Sequence, residues 1–129
     1  MKLRIRGDFI RLRLKRGEIA ELAAGNSVAE ETHFPDSVLT YRLDISEGEG
    51  KNIEASFAGG NLVVSLPSSL ALGWVTNDEV SLTDTQSLAN GATLTLLIEK
   101  DFACLDPGHG RDDADDADSY PHPSAASGV

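Results

Sequence analysis

The sequence is poor in cysteine, in aromatic residues and in positive charge, and it contains no long apolar run. The single cysteine, Cys104, has no partner for an internal disulfide, which excludes a disulfide-stapled secreted fold and is typical of a reducing compartment. No stretch reaches the roughly 18 apolar residues that a membrane helix needs, and the first residues alternate instead of forming the apolar core of a signal peptide. We therefore expect a cytoplasmic protein with no membrane partner.

Charge is distributed very unevenly along the chain. The net charge is −10, yet residues 1–16 contain seven of the eleven Lys and Arg residues. Residues 101–129 contain seven Asp and one Arg. An acidic chain repels nucleic acid at long range, so any nucleic-acid binding has to be local. The pattern predicts a basic surface near the start of the chain and an acidic tail at its end.

An internal similarity organises most of the chain. Positions that correspond at an offset of 52 residues are Gly7 and Gly59, Ile10 and Leu62, Leu12 and Val64, Leu14 and Leu66, Leu22 and Trp74, and Val28 and Val80. Each copy reads as a strand, a glycine turn, a strand, a short helix and two further strands. Two copies do not cover their cores as a solenoid, so we expect them to pack together as one pseudo-twofold unit.

The sequence predicts an α+β, β-rich fold of about eight mostly antiparallel strands and two short helices, built from two ββαββ halves. The halves cover about residues 1–45 and 53–100 within a single domain at about 1–107. The segment 108–129 has no apolar periodicity, and we expect it to be an acidic, flexible tail. We also expect a monomer, because the two halves already form an internal pseudo-dimer.

The first hairpin carries the main functional signal. The strands at 2–6 and 10–15 alternate strictly and flank Gly7-Asp8, a pair suited to a two-residue type II′ turn. That turn places Arg4 opposite Arg11 and Lys2 opposite Arg13 on one face. The other face is apolar, with Leu3 opposite Leu12 and Ile5 opposite Ile10. Like charges directly opposite one another cost roughly 0.2–1 kcal/mol per pair in a sheet. The second hairpin, with Ser and Val at the matching places, shows that the fold does not require these cations.

Two resemblances rest on short motifs. The segments VSLPSSLA (64–71) and NDEV (77–80), within the ββαββ plan of each half, resemble the AbrB/MazE-like swapped-hairpin fold. That resemblance implies a DNA-binding or toxin-binding regulator whose two halves are covalently joined. The segments MKLRIRG, RLRL, NDEV and EKDFACL, followed by an Asp-rich stretch and Pro-His-Pro, look like a family of small uncharacterised bacterial proteins. This second resemblance implies no activity.

We interpret the chain as a small non-catalytic binding module, and three interpretations of the basic hairpin stay open. Its cations could be a solvated face, could contact the chain's own tail, or could bind an acidic protein or nucleic acid. The residues predicted to bind an anion or partner are Lys2, Arg4, Arg6, Arg11 and Arg13. The predicted tail counter-charge consists of Asp112, Asp113, Asp115, Asp116 and Asp118. An alternative of another class is a phosphate- or small-anion-binding enzyme whose pocket these cations line.

Other reactive side chains give weaker signals. Cys104 near His109 matches no nucleophile signature, and with His122 and the Asp run it lacks the paired spacing of a metal site. The Asp run also lacks the Gly and terminal Glu of a calcium loop. We therefore predict no catalytic residue, no metal and no cofactor. Trp74 is expected in the core and His33 on the surface.

Overall fold

The computed structural model describes residues 1–47 and 50–101. The elements in chain order are β1 (Lys2–Ile5), β2 (Phe9–Leu14), α1 (Arg16–Ala23), β3 (Val28–His33), β4 (Val38–Ser46), β5 (Glu54–Ala58), β6 (Asn61–Pro67), α2 (Ser68–Thr76), β7 (Ser81–Ser87) and β8 (Thr93–Lys100). The predicted fold class and the ββαββ order of each half are confirmed. None of the helices in this part of the chain is both long enough and apolar enough to cross a membrane.

The two halves exchange hairpins. One sheet, sheet A, has the strand order β1-β2-β8-β7, and the other, sheet B, has the order β3-β4-β6-β5. Each sheet therefore combines one hairpin from the first half with one from the second. The hairpins are antiparallel, and the central contacts β2–β8 and β4–β6 are parallel. Because each helix connects strands of different sheets, neither half can bury its apolar faces alone.

The first hairpin of each half, β1–β2 and β5–β6, has the register that the sequence predicts. Lys2 lies opposite Arg13 and Arg4 opposite Arg11, while in the second hairpin Ser56 lies opposite Val63. Gly7 has a φ of 55°, the left-handed value that the first turn residue of a type II′ hairpin needs. The two-residue turns thus set the register locally, before any distant contact contributes.

The core lies between the inner faces of the two sheets and under the helices. One inner row runs across sheet A through Leu3, Leu12, Ile98 and Leu82, and one runs across sheet B through Val28, Leu43, Val64 and Ala55. Trp74 of α2 is 1% exposed, so its prediction as a core residue is confirmed. The helices contact each other across the pseudo-twofold.

Short-range signals explain the helix boundaries. The Glu18 carboxylate accepts a hydrogen bond from the Lys15 backbone N–H at 2.8 Å, which satisfies a donor at the start of α1. After α1, Gly25 adopts a φ of 88°, a left-handed conformation that commonly ends a helix. Pro67 is the last residue of β6 and precedes α2, because proline needs no N–H partner at a helix start.

Two predicted positions need correction. Val80 is 48% exposed, and the structural counterpart of Val28 is Leu82, since both belong to inner rows of their sheets. Trp74 and Leu82 are eight residues apart, whereas Leu22 and Val28 are six residues apart, so the offset between the halves rises there from 52 to 54 residues. Ile5 lies on the apolar face as predicted, opposite Ile10, but it is 58% exposed instead of buried. Its counterpart Phe57 is exposed as well, so the tips of both hairpins extend past the opposing sheet.

Side chains of one sheet cap the edge of the other. The Ile53 N–H donates to Asp84 Oδ2 at 2.9 Å, and the Ala55 N–H donates to Gln86 Oε1 at 2.8 Å. Gln86 Nε2 also donates to the Ala55 carbonyl at 3.2 Å. These β5 backbone groups point away from β6, toward the outer edge of sheet B. The β7 side chains therefore satisfy N–H and C=O groups that an open sheet edge would leave exposed to water.

The first half has an ionic counterpart of this cap. The α-amino group of Met1 donates to the carboxylates of Glu18 and Glu30. Burial lowers the pKa of the Met1 amine, but the hydrogen bonds and negative charges of Glu18 and Glu30 outweigh this effect and raise the pKa above its ordinary value of 8.0. The start of β1 is therefore held between α1 and β3.

Candidate functional site

The outer face of the first hairpin collects the predicted cations, and we call it the basic hairpin face. Its members are Lys2 and Arg4 on β1, Arg6 before the turn, and Arg11 and Arg13 on β2. The hairpin register brings all five onto neighbouring positions of one surface. Lys2, Arg4 and Arg6 are exposed, whereas Arg11 and Arg13 are half-buried because β8 covers their other side.

Glu99 of β8 borders this face on the side of β2. The parallel register of β2 and β8 places it directly beside Arg13. Its Oε1 accepts hydrogen bonds from Arg11 Nε at 2.6 Å and from Arg13 Nε at 2.8 Å. The Glu99 side chain is only 12% exposed, so these bonds form in surroundings that screen charge poorly. Glu99 thus orients Arg11 and Arg13, and its negative charge offsets the repulsion between their two positive charges.

A second carboxylate lies at the margin of the face. Asp101 Oδ2 is 3.6 Å from Lys2 Nζ, and the Lys2 side chain is largely exposed. Such an exposed pair contributes little to stability. Among the described residues, the basic hairpin face thus combines five cations with the carboxylates Glu99 and Asp101.

The face is concave where its two strands meet. A shallow depression of about 260 Å³ is lined by Lys2, Leu3, Arg4, Arg11 and Arg13. Four of these five residues carry a positive charge. Guanidinium groups that converge in this way bind carboxylates or phosphates by paired N–H···O bonds. The depression is the right size for one or two such anionic groups rather than for a large cofactor.

The corresponding face of sheet B is chemically different. Its hairpin presents Glu54 opposite Ser65 and Ser56 opposite Val63, and β4 adds Arg42 and Asp44. Arg42 Nε lies 2.9 Å from Asp44 Oδ1, so this cation is neutralised within its own strand. The same backbone therefore forms with and without a positive face, and the cations of sheet A are not a requirement of the fold.

The structure also places the other predicted candidates. His33 is exposed at the end of β3, as predicted. Lys100 Nζ lies 5.3 Å from the ring centre of Trp74 and donates to the Asn77 carbonyl at 2.9 Å, which stabilises the end of β8. The described residues contain no group of three or more metal-ligating side chains. Cys104, His109, His122 and the tail carboxylates Asp112, Asp113, Asp115, Asp116 and Asp118 lie outside the described residues.

Sequence reasoning missed Glu99 as part of the site. The only signal was a lone carboxylate in the last strand, on the polar side of its alternation. Placing it requires knowing that β8 pairs in parallel with β2, a contact across more than 80 residues. Neither turn chemistry nor periodicity predicts such a pairing.

A comparison with protein-family models relates the chain to other proteins. A family of unknown function, DUF7009, matches residues 1–124. The chain belongs to the DUF7009 family. No curated protein and no solved structure matches it. The matched residues include both exchanged halves and all residues of the basic hairpin face.

Proposed function

We propose that this DUF7009 protein is a small non-catalytic binding module whose basic hairpin face binds an anionic partner. The observation that carries the proposal is the clustering of four cations, Lys2, Arg4, Arg11 and Arg13, around one depression on the outer face of sheet A. The counterpart face of sheet B, built on the same backbone, lacks such a cluster.

The arrangement supports binding rather than chemistry. Arginine stays protonated and is a poor general base, whereas its planar fork matches carboxylate and phosphate oxygens. Glu99 is engaged by two guanidinium groups and serves to hold them in place. A face of this kind gives affinity that falls with salt, and contacts to phosphate groups alone carry no sequence information.

The proposal includes the chain's own acidic tail as a competitor. Residues Asp112, Asp113, Asp115, Asp116 and Asp118 supply five negative charges on the same chain as the basic hairpin face. A tethered ligand acts at an effective concentration of about millimolar, so even weak contacts would reduce the affinity for an external partner. The protein is further proposed to be a cytoplasmic monomer with one folded domain at 1–107.

A titration with anionic polymers tests the proposal. Full-length protein is titrated with polyglutamate, polyphosphate, single-stranded RNA and duplex DNA at about 50 and about 200 mM salt, a range over which counterion release changes affinity strongly. We expect binding that weakens with salt and that weakens by at least about tenfold in the double variant Arg4→Gln/Arg6→Gln. Arg42→Gln on sheet B is the matched control and should leave the affinity unchanged.

The tail is tested in the same titration without shortening the chain. Changing its five clustered Asp residues to Asn should tighten binding of the external anion. Equal affinity before and after that change would remove the competitor role. Equal affinity in the Arg4→Gln/Arg6→Gln variant, or no binding to any of the four polymers, would refute the basic hairpin face as the binding site.

Two other functions have a specific observation in their favour. The depression of about 260 Å³ favours binding of a small anion such as inorganic phosphate, as a phosphate-binding enzyme would need. The hairpin exchange between halves favours the AbrB/MazE-like nucleic-acid-binding regulator. Saturable binding of free phosphate would select the first, and a clear preference for duplex DNA over polyglutamate would select the second.

A further inference from the structure

Strand β1 is an outer strand of sheet A within the part of the chain that the structure describes. The Arg6 N–H donates to the Phe9 carbonyl at 3.0 Å, so Arg6 faces β2 with its backbone groups. In an antiparallel pair these groups alternate in direction along the strand. The N–H and C=O groups of Leu3 and Ile5 therefore point away from β2, toward the outer edge of the sheet.

The two halves treat this edge differently. In the second half, Gln86 bonds both backbone groups of Ala55, the counterpart of Leu3. Gln86 lies opposite Leu94, and the residue at the same place in the first half is Thr32, opposite Leu39. A threonine side chain is too short to bond both an N–H and a C=O as the Gln86 amide does. Within residues 1–47 and 50–101, no side chain bonds the Leu3 backbone.

The side chains along β1 define what this edge can accept. Lys2, Arg4 and Arg6 occupy alternate positions on the outer face, and Leu3 and Ile5 occupy the inner positions. Ile5 is 58% exposed, so apolar surface is available beside the cations. A strand added at this edge would place every second side chain beside the cations and the others beside Leu3 and Ile5. Acidic residues alternating with apolar residues match both sides.

We infer that β1 accepts an extended acidic segment of a partner protein as an added strand of sheet A. The inference rests on the proposed function and names the partner class of the same face. Main-chain hydrogen bonds to Leu3 and Ile5 supply affinity, and Lys2, Arg4 and Arg6 supply selection for acidic side chains. A nucleic acid has no alternating amide N–H and C=O groups, so it cannot use this edge.

The experiment removes one edge donor with little change to the rest of the molecule. Ile5→Pro deletes an N–H that β2 does not use, and proline is tolerated on an edge strand. Ile5→Ala removes the side chain but keeps the N–H. Phe57→Pro makes the same backbone change in β5, at the matching hairpin tip. Circular dichroism and thermal unfolding first establish that each full-length variant is folded.

The probe is a synthetic peptide of alternating Asp and Val, compared with a copy N-methylated at every second residue. N-methylation blocks the backbone bonds on one side and leaves the charges unchanged. We expect Ile5→Pro and the N-methylated peptide each to weaken binding by about tenfold, since each removes at least one main-chain hydrogen bond. Ile5→Ala should lose no more than about threefold, and Phe57→Pro should bind like the original protein.

The outcomes separate this inference from the proposed function. Equal binding of the two peptides, or an Ile5→Pro variant that binds as well as Ile5→Ala, would overturn strand addition while leaving the charge-based proposal intact. Loss of binding in Arg4→Gln/Arg6→Gln together with insensitivity to N-methylation would likewise overturn strand addition alone. Failure of both peptides to bind, with no other anion bound, would overturn both.

Discussion

Replacing Glu99 by Gln should destabilise the protein and strengthen its binding of anions at the same time. Glu99 is 12% exposed and its partners Arg11 and Arg13 are 18% and 20% exposed, so water replaces the lost interactions poorly. Hydrogen bonds to charged groups contribute about 1.5–3 kcal/mol each. The amide oxygen of the Gln side chain can still accept hydrogen bonds from the two arginines, but these bonds are weaker because the oxygen is uncharged. We expect a loss of about 2–3 kcal/mol in the free energy of unfolding.

A loss of that size is easily measured. For a domain of about 100 residues, each kcal/mol shifts the melting temperature by about 4–8 °C, so calorimetry should show a drop of about 10–20 °C. The control is Asp44→Asn, because Asp44 occupies the matching position in sheet B and its partner Arg42 is 46% exposed. That change should cost less than about 1 kcal/mol.

The binding assay provides the second half of this prediction. Glu99→Gln removes one negative charge from the basic hairpin face, so its affinity for polyglutamate should rise, most clearly at low salt. The reasoning fails if Glu99→Gln is no more destabilising than Asp44→Asn. It also fails if affinity falls in a variant that is still folded at the assay temperature.

Two further predictions concern stability. Because the Met1 amine has a raised pKa in the folded state, its stabilisation is complete below the unfolded-state pKa near 8.0 and is lost as the pH rises through the folded-state pKa. Urea unfolding from pH 7 to 10 should show this decline, and Glu30→Gln should reduce it; a decline of the same size in both proteins would contradict the assignment. Gly60→Ala should be the more damaging of two glycine changes, since Gly60 has a φ of 78° and an added Cβ would lie 2.9 Å from the Val38 carbonyl oxygen. Gly7→Ala meets no atom within 4 Å and should cost only the strain of a left-handed residue, about 1–2 kcal/mol; equal melting temperatures for the two variants would refute the steric argument.

Much of the fold could be predicted from the sequence because its signals are local. The Gly7-Asp8 turn and the strict alternation around it specify which residues of the first hairpin face each other. The Gly25 stop of α1 and the burial of Trp74 follow from similarly short patterns. The offset between the halves rises from 52 to 54 residues between Trp74 and Leu82, so the match of Val80 to Val28 was wrong. Nothing in the alternation alone distinguishes Val80 from Leu82.

Local signals in the sequence are enough to specify two ββαββ halves and a first hairpin with one apolar side and one cationic side. Long-range packing is needed to explain why the halves exchange hairpins, why Glu99 contacts both Arg11 and Arg13, and why Gln86 caps the β5 edge. The physical reason is the range of the interactions. Turns and periodicity act over a few residues, whereas a parallel contact such as β2–β8 is chosen by burial of both sheets together, which has to offset the entropy lost in closing a very long loop.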